Sequence, residues 1–204
     1  MTISVRESIK FGWETFKKRP WFFIGIVVGV IVLSSLLASI SEENPRDALS
    51  ILVSIAVVVI NLLIEMGLVF FAIKAHDHVD NVTWQDLWHP QPFWKYLGLK
   101  ILTTVIVVVG LILVIIPGVI AALALMFATY LLIDRNLGPI EAMKESVRIT
   151  KGHRWQLFLL AISLVGLNIL GAIALLVGLL VTVPVSLLAV AHAYRTLAGK
   201  AGRT

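Results

Sequence analysis

The sequence predicts an all-α, polytopic membrane bundle. Six transmembrane helices pair as three hairpins, and an amphipathic interfacial helix precedes each hairpin. Three observations predict it. Hydrophobic residues make up 59% of the 204 and charged residues only 14%, against about 45–50% and about 25% in soluble domains. The apolar residues gather in long uncharged runs, and crossing about 30 Å of hydrocarbon takes about 20 helical residues. Read as six spans, the chain places sixteen of its 17 lysines and arginines on one side. A wrong helix count would scramble that asymmetry.

Residues 21–40 form the first run, and 49–73 the second, broken only by Asn61 and Glu65. The first run is longer than the apolar core of a signal peptide, so a span rather than a cleaved leader is expected. The stretch from Leu97 to Ile133 is too long for one helix. Pro117-Gly118 near its middle is a helix breaker, predicting spans 97–116 and 118–133 joined by a tight turn. The stretch from Trp155 to Leu197 is also too long. Gly171, Gly178 and Pro184 punctuate it, predicting spans 155–172 and 178–197. Nothing remains for a separate soluble domain, so residues 1–204 read as one membrane domain.

Orientation follows from the basic residues. Arg6, Lys10, Lys17, Lys18 and Arg19 precede span 1, and Lys74, Lys95 and Lys100 flank the connection between spans 2 and 3. Arg135, Lys144, Arg148, Lys151 and Arg154 lie between spans 4 and 5, and Arg195, Lys200 and Arg203 at the C-terminus. Only Arg46 falls opposite, beside Glu42, Glu43 and Asp47. Both termini are therefore expected in the cytoplasm, in a bacterial inner membrane. The tryptophans show the same polarity, all near cytoplasmic span ends. The net charge of +5 belongs to this asymmetry, so nucleic acid is not an expected partner.

The stretches before the hairpins carry helix-start signals. Ser4-x-x-Glu7 reads as a capping box, with Val5, Ile9, Trp13 and Phe16 on one stripe. Thr83-x-x-Asp86 starts a short helix carrying Trp84, Leu87 and Trp88, stopped by His89-Pro90-Gln91-Pro92. Pro139 suits a first helical position, with Ile140, Met143 and Val147 on one face. Residues 4–18 and 139–151 are expected to lie along the inner leaflet. Either three diverged copies of helix plus hairpin, or the alternation common to any six-span protein, accounts for this order.

The order of short motifs also carries a resemblance. Gly67-Leu68, Trp84-Gln85-Asp86-Leu87-Trp88 and Ile116-Pro117-Gly118 are followed by Ile133-Asp134-Arg135-Asn136. Then come Glu141-Ala142-Met143-Lys144-Glu145-Ser146, Thr150-Lys151-Gly152, Val183-Pro184 and Tyr194. Together they resemble a bacterial family of integral membrane proteins that includes YciC-like proteins and the membrane domain of some glycerophosphodiester phosphodiesterases. The resemblance implies a six-helix inner-membrane protein. It supplies no catalytic residue, and the phosphodiesterase barrel is absent, so that activity is not inherited.

Candidate chemistry is sparse. Glu65 is the one acid deep in a span, and Asn61 shares its helix face. A charge there costs about 2.5–3.5 kcal/mol on insertion scales. Asn61, Glu65, Asn168 and His192 form the candidate intramembrane polar site, read either as a cation or proton site or as interhelical glue. Glu65 is expected to face other helices rather than lipid. Lys17, Lys18, Arg19, Lys151 and Arg154 are candidate contacts for anionic inner-leaflet lipid, beyond the plain positive-inside bias. His76-Asp77-His78 with Asp80 reads as a solvated loop rather than a metal site. Gly25-x-x-x-Gly29 in span 1 suits either close packing within the chain or a homodimer. No zinc-protease, nucleophile-elbow or P-loop signature is present, there is no cysteine, and no cofactor or metal is expected. A non-enzymatic inner-membrane protein is expected, one that binds lipid or a protein partner in membrane organisation or as an accessory subunit. The alternative is a small-solute or lipid transporter built around Glu65.

Overall fold

A computed structural model describes residues 4–40, 48–88, 92–174 and 177–201. Nine α-helices and two short 3₁₀ turns account for almost all of the described residues, which contain no strand. The helices are α1 (Val5–Lys18), α2 (Pro20–Ile40), α3 (Ala48–Asp77), α4 (Phe93–Leu113), α5 (Ile115–Leu125), α6 (Ala128–Arg135), α7 (Pro139–Thr150), α8 (Arg154–Ile173) and α9 (Leu179–Ala201). Among the described residues six stretches are long and apolar enough to cross a membrane, the fourth running from Ile115 to Arg135 across α5 and α6. Glu42, Glu43, Arg46 and Asp47, His89-Pro90-Gln91 and Arg203 lie outside the described residues.

Local signals place most boundaries. The Ser4 hydroxyl accepts the Glu7 N–H at 3.3 Å and caps α1. Pro139 opens α7, where the Glu141 carboxylate accepts the Gly138 N–H at 3.0 Å. Asn136 adopts the left-handed conformation that ends α6. The expected helix start at Thr83 is a 3₁₀ turn over Trp84–Leu87, where the Asp86 carboxylate accepts the Thr83 N–H at 2.7 Å and the Thr83 hydroxyl at 3.1 Å.

Two boundaries differ from expectation. The turn between spans 3 and 4 sits at Val114, with Pro117 inside the first turn of α5. A proline lacks only an N–H that has no partner in a first turn, so it starts this helix rather than breaking it. Gly110 and Gly118 make the sharp crossing possible: a Cβ on Gly110 would stand 2.9 Å from the Gly118 Cα. Pro184 lies inside α9, in keeping with the expected span 178–197. The fourth stretch is interrupted at Met126–Phe127, between α5 and α6.

Burial is concentrated toward one end of the helices. In α3 the buried residues beyond Ser50 run from Met66 to Ala75, and in α4 they are Tyr96 and Leu99. One core gathers Met66, Phe127, Leu131, Leu160, Ala189 and Tyr194. A second gathers Phe16, Phe23, Phe71, Val79 and Leu188. The other ends of the helices present aliphatic side chains outward, and Ile112, Leu113, Ile115 and Ile116 at the α4–α5 tip are all exposed. Such a surface is untenable in water and ordinary in hydrocarbon. All six tryptophans are exposed, as suits residues anchored at a membrane interface.

Of the expected stripe on helix α1, Val5, Ile9 and Phe16 pack against the bundle and Trp13 is exposed. Ser8, Gly12 and Thr15 are buried as well. The small residues let α1 press on α9: a Cβ on Gly12 would lie 2.4 Å from the Val185 carbonyl oxygen. The packed bundle, rather than the apolar stripe alone, sets the rotation of this helix.

Candidate functional site

The four residues of the predicted polar site do not converge. Each satisfies itself with a different neighbour. Asn61 donates to the Val57 carbonyl of its own helix at 3.0 Å. Glu65 is paired with Lys100 of α4, and both side chains are close to half exposed, at 47% and 41%. Glu65 thus does not face only other helices; its charge is matched by a lysine from the next span. Asn168 donates to the Leu164 carbonyl at 2.9 Å and to the Ser186 hydroxyl at 3.1 Å, joining α8 to α9. His192 turns to His76.

That last contact belongs to the most extensive polar network of the described residues. Arg195 of α9 lies between two aspartates. Its Nε donates to Asp77 Oδ1 at 3.0 Å, and its NH1 to Asp134 Oδ2 at 2.7 Å. The Tyr194 hydroxyl donates to the same Asp134 oxygen at 2.6 Å. On the other side, His76 Nδ1 lies 3.0 Å from Asp77 Oδ1 and His76 Nε2 lies 3.2 Å from His192 Nδ1. A neutral His76 that donates through Nδ1 to the carboxylate accepts from His192 through Nε2, a tautomer assigned from the bonding pattern. Phe11 of α1 stacks on His192 at 4.5 Å and covers His76 at 4.6 Å. One chain of contacts therefore ties α3, α6 and α9 under α1. His76 and Asp77 are the last turn of α3 and not a solvated loop. Among the described residues no three His, Cys, Asp or Glu side chains converge as metal ligands.

A second polar cluster closes the interruption of the fourth span. The Ser146 hydroxyl of α7 donates to the Ala124 carbonyl at 2.7 Å and accepts the Phe127 N–H at 3.2 Å. The Thr150 hydroxyl, one turn on, lies 3.3 Å from the same Ala124 carbonyl and donates to the Ser146 carbonyl at 2.8 Å. Both residues are fully buried. Broken spans elsewhere leave backbone groups for ligands; here α7 fills the gap. A polar i, i+4 pair on the helix face opposite its charges is the sequence signal for this role.

The Trp84–Leu87 turn packs between α2 and α3. A Cβ on Gly67 would lie 1.8 Å from the Leu87 carbonyl oxygen. The Trp84 ring covers Gly25, whose Cβ would lie 3.0 Å from it, so the Gly25-x-x-x-Gly29 face packs within the chain. Asp86 accepts from Lys74 at 2.6 Å and from the Thr83 N–H at 2.7 Å. Burial pushes the Asp86 carboxyl up, but these bonds outweigh it and hold the group below its ordinary value.

Of the five basic residues expected to meet lipid, Arg19 turns inward. It donates to the Val82 carbonyl at 2.9 Å and the Val79 carbonyl at 3.3 Å, and lies over the Phe22 ring. It holds the chain leaving α3. Lys17, Lys18 and Lys151 are exposed, and Lys17 approaches the Trp13 ring at 5.7 Å. Arg154 is partly buried, and its Nε has no partner among the described residues.

Among the described residues, apolar grooves open between the helices. One of about 350 Å³ lies between α2 and α3 against Trp84 and Trp88. A second of about 490 Å³ lies among α4, α5 and α7. A third of about 510 Å³ lies along α3 beside Phe93 and Trp94.

Comparison with known proteins follows the same lines. An uncharacterized protein of Mycobacterium bovis, Mb2590, is 28% identical over 109 residues, covering 52% of this chain and 34% of that protein. The uncharacterized protein Rv2560 of Mycobacterium tuberculosis H37Rv matches to the same extent. The chain thus spans about a third of the length of the curated relatives it matches. No solved structure matches it. The profile of a protein family of unknown function, DUF975, matches residues 95–201, which include Lys144, Ser146, Asp134 and Arg195. That match takes in just over half of the residues, and the chain belongs to the DUF975 family of proteins of unknown function.

Proposed function

We propose that this chain is a non-enzymatic multipass protein of a bacterial cytoplasmic membrane. It binds membrane lipid, and through its lipid-facing surface serves membrane organisation or acts as an accessory subunit. One observation carries the reading: packed at one end, the described helices leave apolar grooves of about 350, 490 and 510 Å³ between them. Grooves of this kind suit acyl chains, which need no polar partner. The motif order that resembles the YciC-like proteins, and the bias of basic residues, support an inner-membrane placement with both termini in the cytoplasm.

Purification of the full chain from bacterial membranes, followed by native mass spectrometry, tests the reading. The expected result is lipid that stays bound after detergent exchange. A lipid-free protein under mild detergent overturns it. Reporter fusions at Thr204 and at Asn44 test the orientation: a periplasm-only reporter active at Thr204 refutes it.

A transport reading draws on the half-exposed Glu65–Lys100 pair within the spans. It requires that proteoliposomes carrying Glu65→Gln show intact protein and no flux, with flux in the unmodified chain.

A further inference from the structure

Helix α7 presents two faces to its surroundings. Ala142, Ser146, Ile149 and Thr150 point into the bundle and are buried. Ile140 and Val147 are exposed, at 61% and 38%, on the side of the groove of about 490 Å³ shared with α4 and α5. Between them in the helical register, at i+4 from Ile140 and i−3 from Val147, stands Lys144. It is the one charged residue lining that groove, whose walls include Leu102, Ile106 and Ala121.

Lys144 is exposed and makes no hydrogen bond or ion pair with the described residues. This is not for want of acids on α7. Glu141, one turn before it, accepts from the Gly138 N–H at 3.0 Å. Glu145, its neighbour, accepts from Arg148 at 2.7 Å through both Nε and NH2, and lies 3.4 Å from Arg135. These arginines hold the Glu145 carboxyl below its ordinary value, Arg148 most strongly. Both acids are engaged, and the lysine at the groove carries an unmatched positive charge.

We propose that this groove binds one anionic glycerophospholipid, its acyl chain along Leu102, Ile106 and Ala121 and its phosphate on Lys144. The inference rests on the lipid-binding reading above and assigns it a site and a lipid class. The charge balance selects the class. A headgroup of net negative charge matches the lone lysine. A zwitterionic headgroup would bring an ammonium group to a place where both neighbouring acids are engaged.

The test uses the full chain in nanodiscs of phosphatidylglycerol and phosphatidylethanolamine, with retained lipid counted by native mass spectrometry. The unmodified chain is expected to retain phosphatidylglycerol preferentially. Lys144→Gln is expected to lower that retention about fivefold, the equivalent of about 1 kcal/mol for one lysine at an anionic surface. Lys144→Arg keeps it, and Lys10→Gln, on α1 and away from the groove, leaves it unchanged. Ala121→Phe, which fills the groove, is expected to lower retention of both lipids, with thermal melting as the check on folding. Retention unchanged in Lys144→Gln and in folded Ala121→Phe overturns the site while leaving the broader reading intact. An unmodified chain that retains neither lipid overturns the broader reading itself. A dimer of the unmodified chain that Ala121→Phe dissociates overturns the proposal, because the groove is then covered by a second copy.

Discussion

The hydroxyl of Ser146 donates to the Ala124 carbonyl at 2.7 Å, from a helix 22 residues further along the chain. In an unbroken helix that carbonyl would accept the Ala128 N–H. The interruption at Met126–Phe127 is therefore satisfied by a side chain of α7, which also docks α7 against the fourth span. A broken helix without such partners leaves polar backbone in an apolar setting, at a cost of about 1–3 kcal/mol for each group.

Ser146→Ala is accordingly expected to destabilise the protein by about 1–3 kcal/mol, since the Phe127 N–H loses its acceptor and the Ala124 carbonyl its shorter bond. Thr150→Val should cost less, because its hydroxyl lies farther from Ala124. Thermal melting of both variants in nanodiscs measures the difference. Equal and negligible shifts would show that the gap in the span does not need α7.

Gly67→Ala places a methyl group 1.8 Å from the Leu87 carbonyl oxygen. The backbone of the Trp84–Leu87 turn must move away from α3, with an expected loss of about 1–3 kcal/mol from overpacking. Trp84 lies on Gly25, so the displacement should raise proteolytic cleavage between Val82 and Trp88. A variant with the melting point and cleavage pattern of the unmodified chain would contradict the close contact.

Arg195→Gln removes the cation between Asp77 and Asp134 and leaves the two carboxylates without it. A partly buried network broken on one side is expected to lose about 2–4 kcal/mol, below the full value for deeply buried pairs. Asp134→Asn in the same chain should recover part of that loss, because the two changes share one interaction. A double variant whose loss equals the sum of the single losses would show that Arg195 and Asp134 are not coupled.

The Asp86 carboxyl titrates below its ordinary value of 3.8 in the folded chain. Its contribution to stability is thus fully present above that value and is lost as pH falls through the lower folded value. Asp86→Asn should cost about 1–2 kcal/mol at neutral pH, between the values for exposed and buried pairs. The difference from the unmodified chain should shrink toward pH 3. A difference of the same size at both pH values would assign the effect to shape rather than charge.

The sequence by itself determined the class, the six apolar stretches, the caps at Ser4, Thr83 and Pro139, and the asymmetry of charge. These follow from quantities summed along the chain: the length of an apolar run, the sign of the flanking residues, the unpaired N–H groups of a first helical turn. The exact turn beside Pro117 was not legible, because proline acts differently in a first turn, a helix interior and a loop, and the close approach of Gly110 to Gly118 decided which applied. The pairing of polar residues was not legible. Glu65 and Lys100 are 35 residues apart, His76 and His192 are 116 apart, and Arg195 and Asp77 are 118 apart. Many partners are chemically equivalent for each of these groups. The order in which α1, α3, α6 and α9 pack chooses among them, because a hydrogen bond forms only between side chains that the packed backbones bring within about 3 Å.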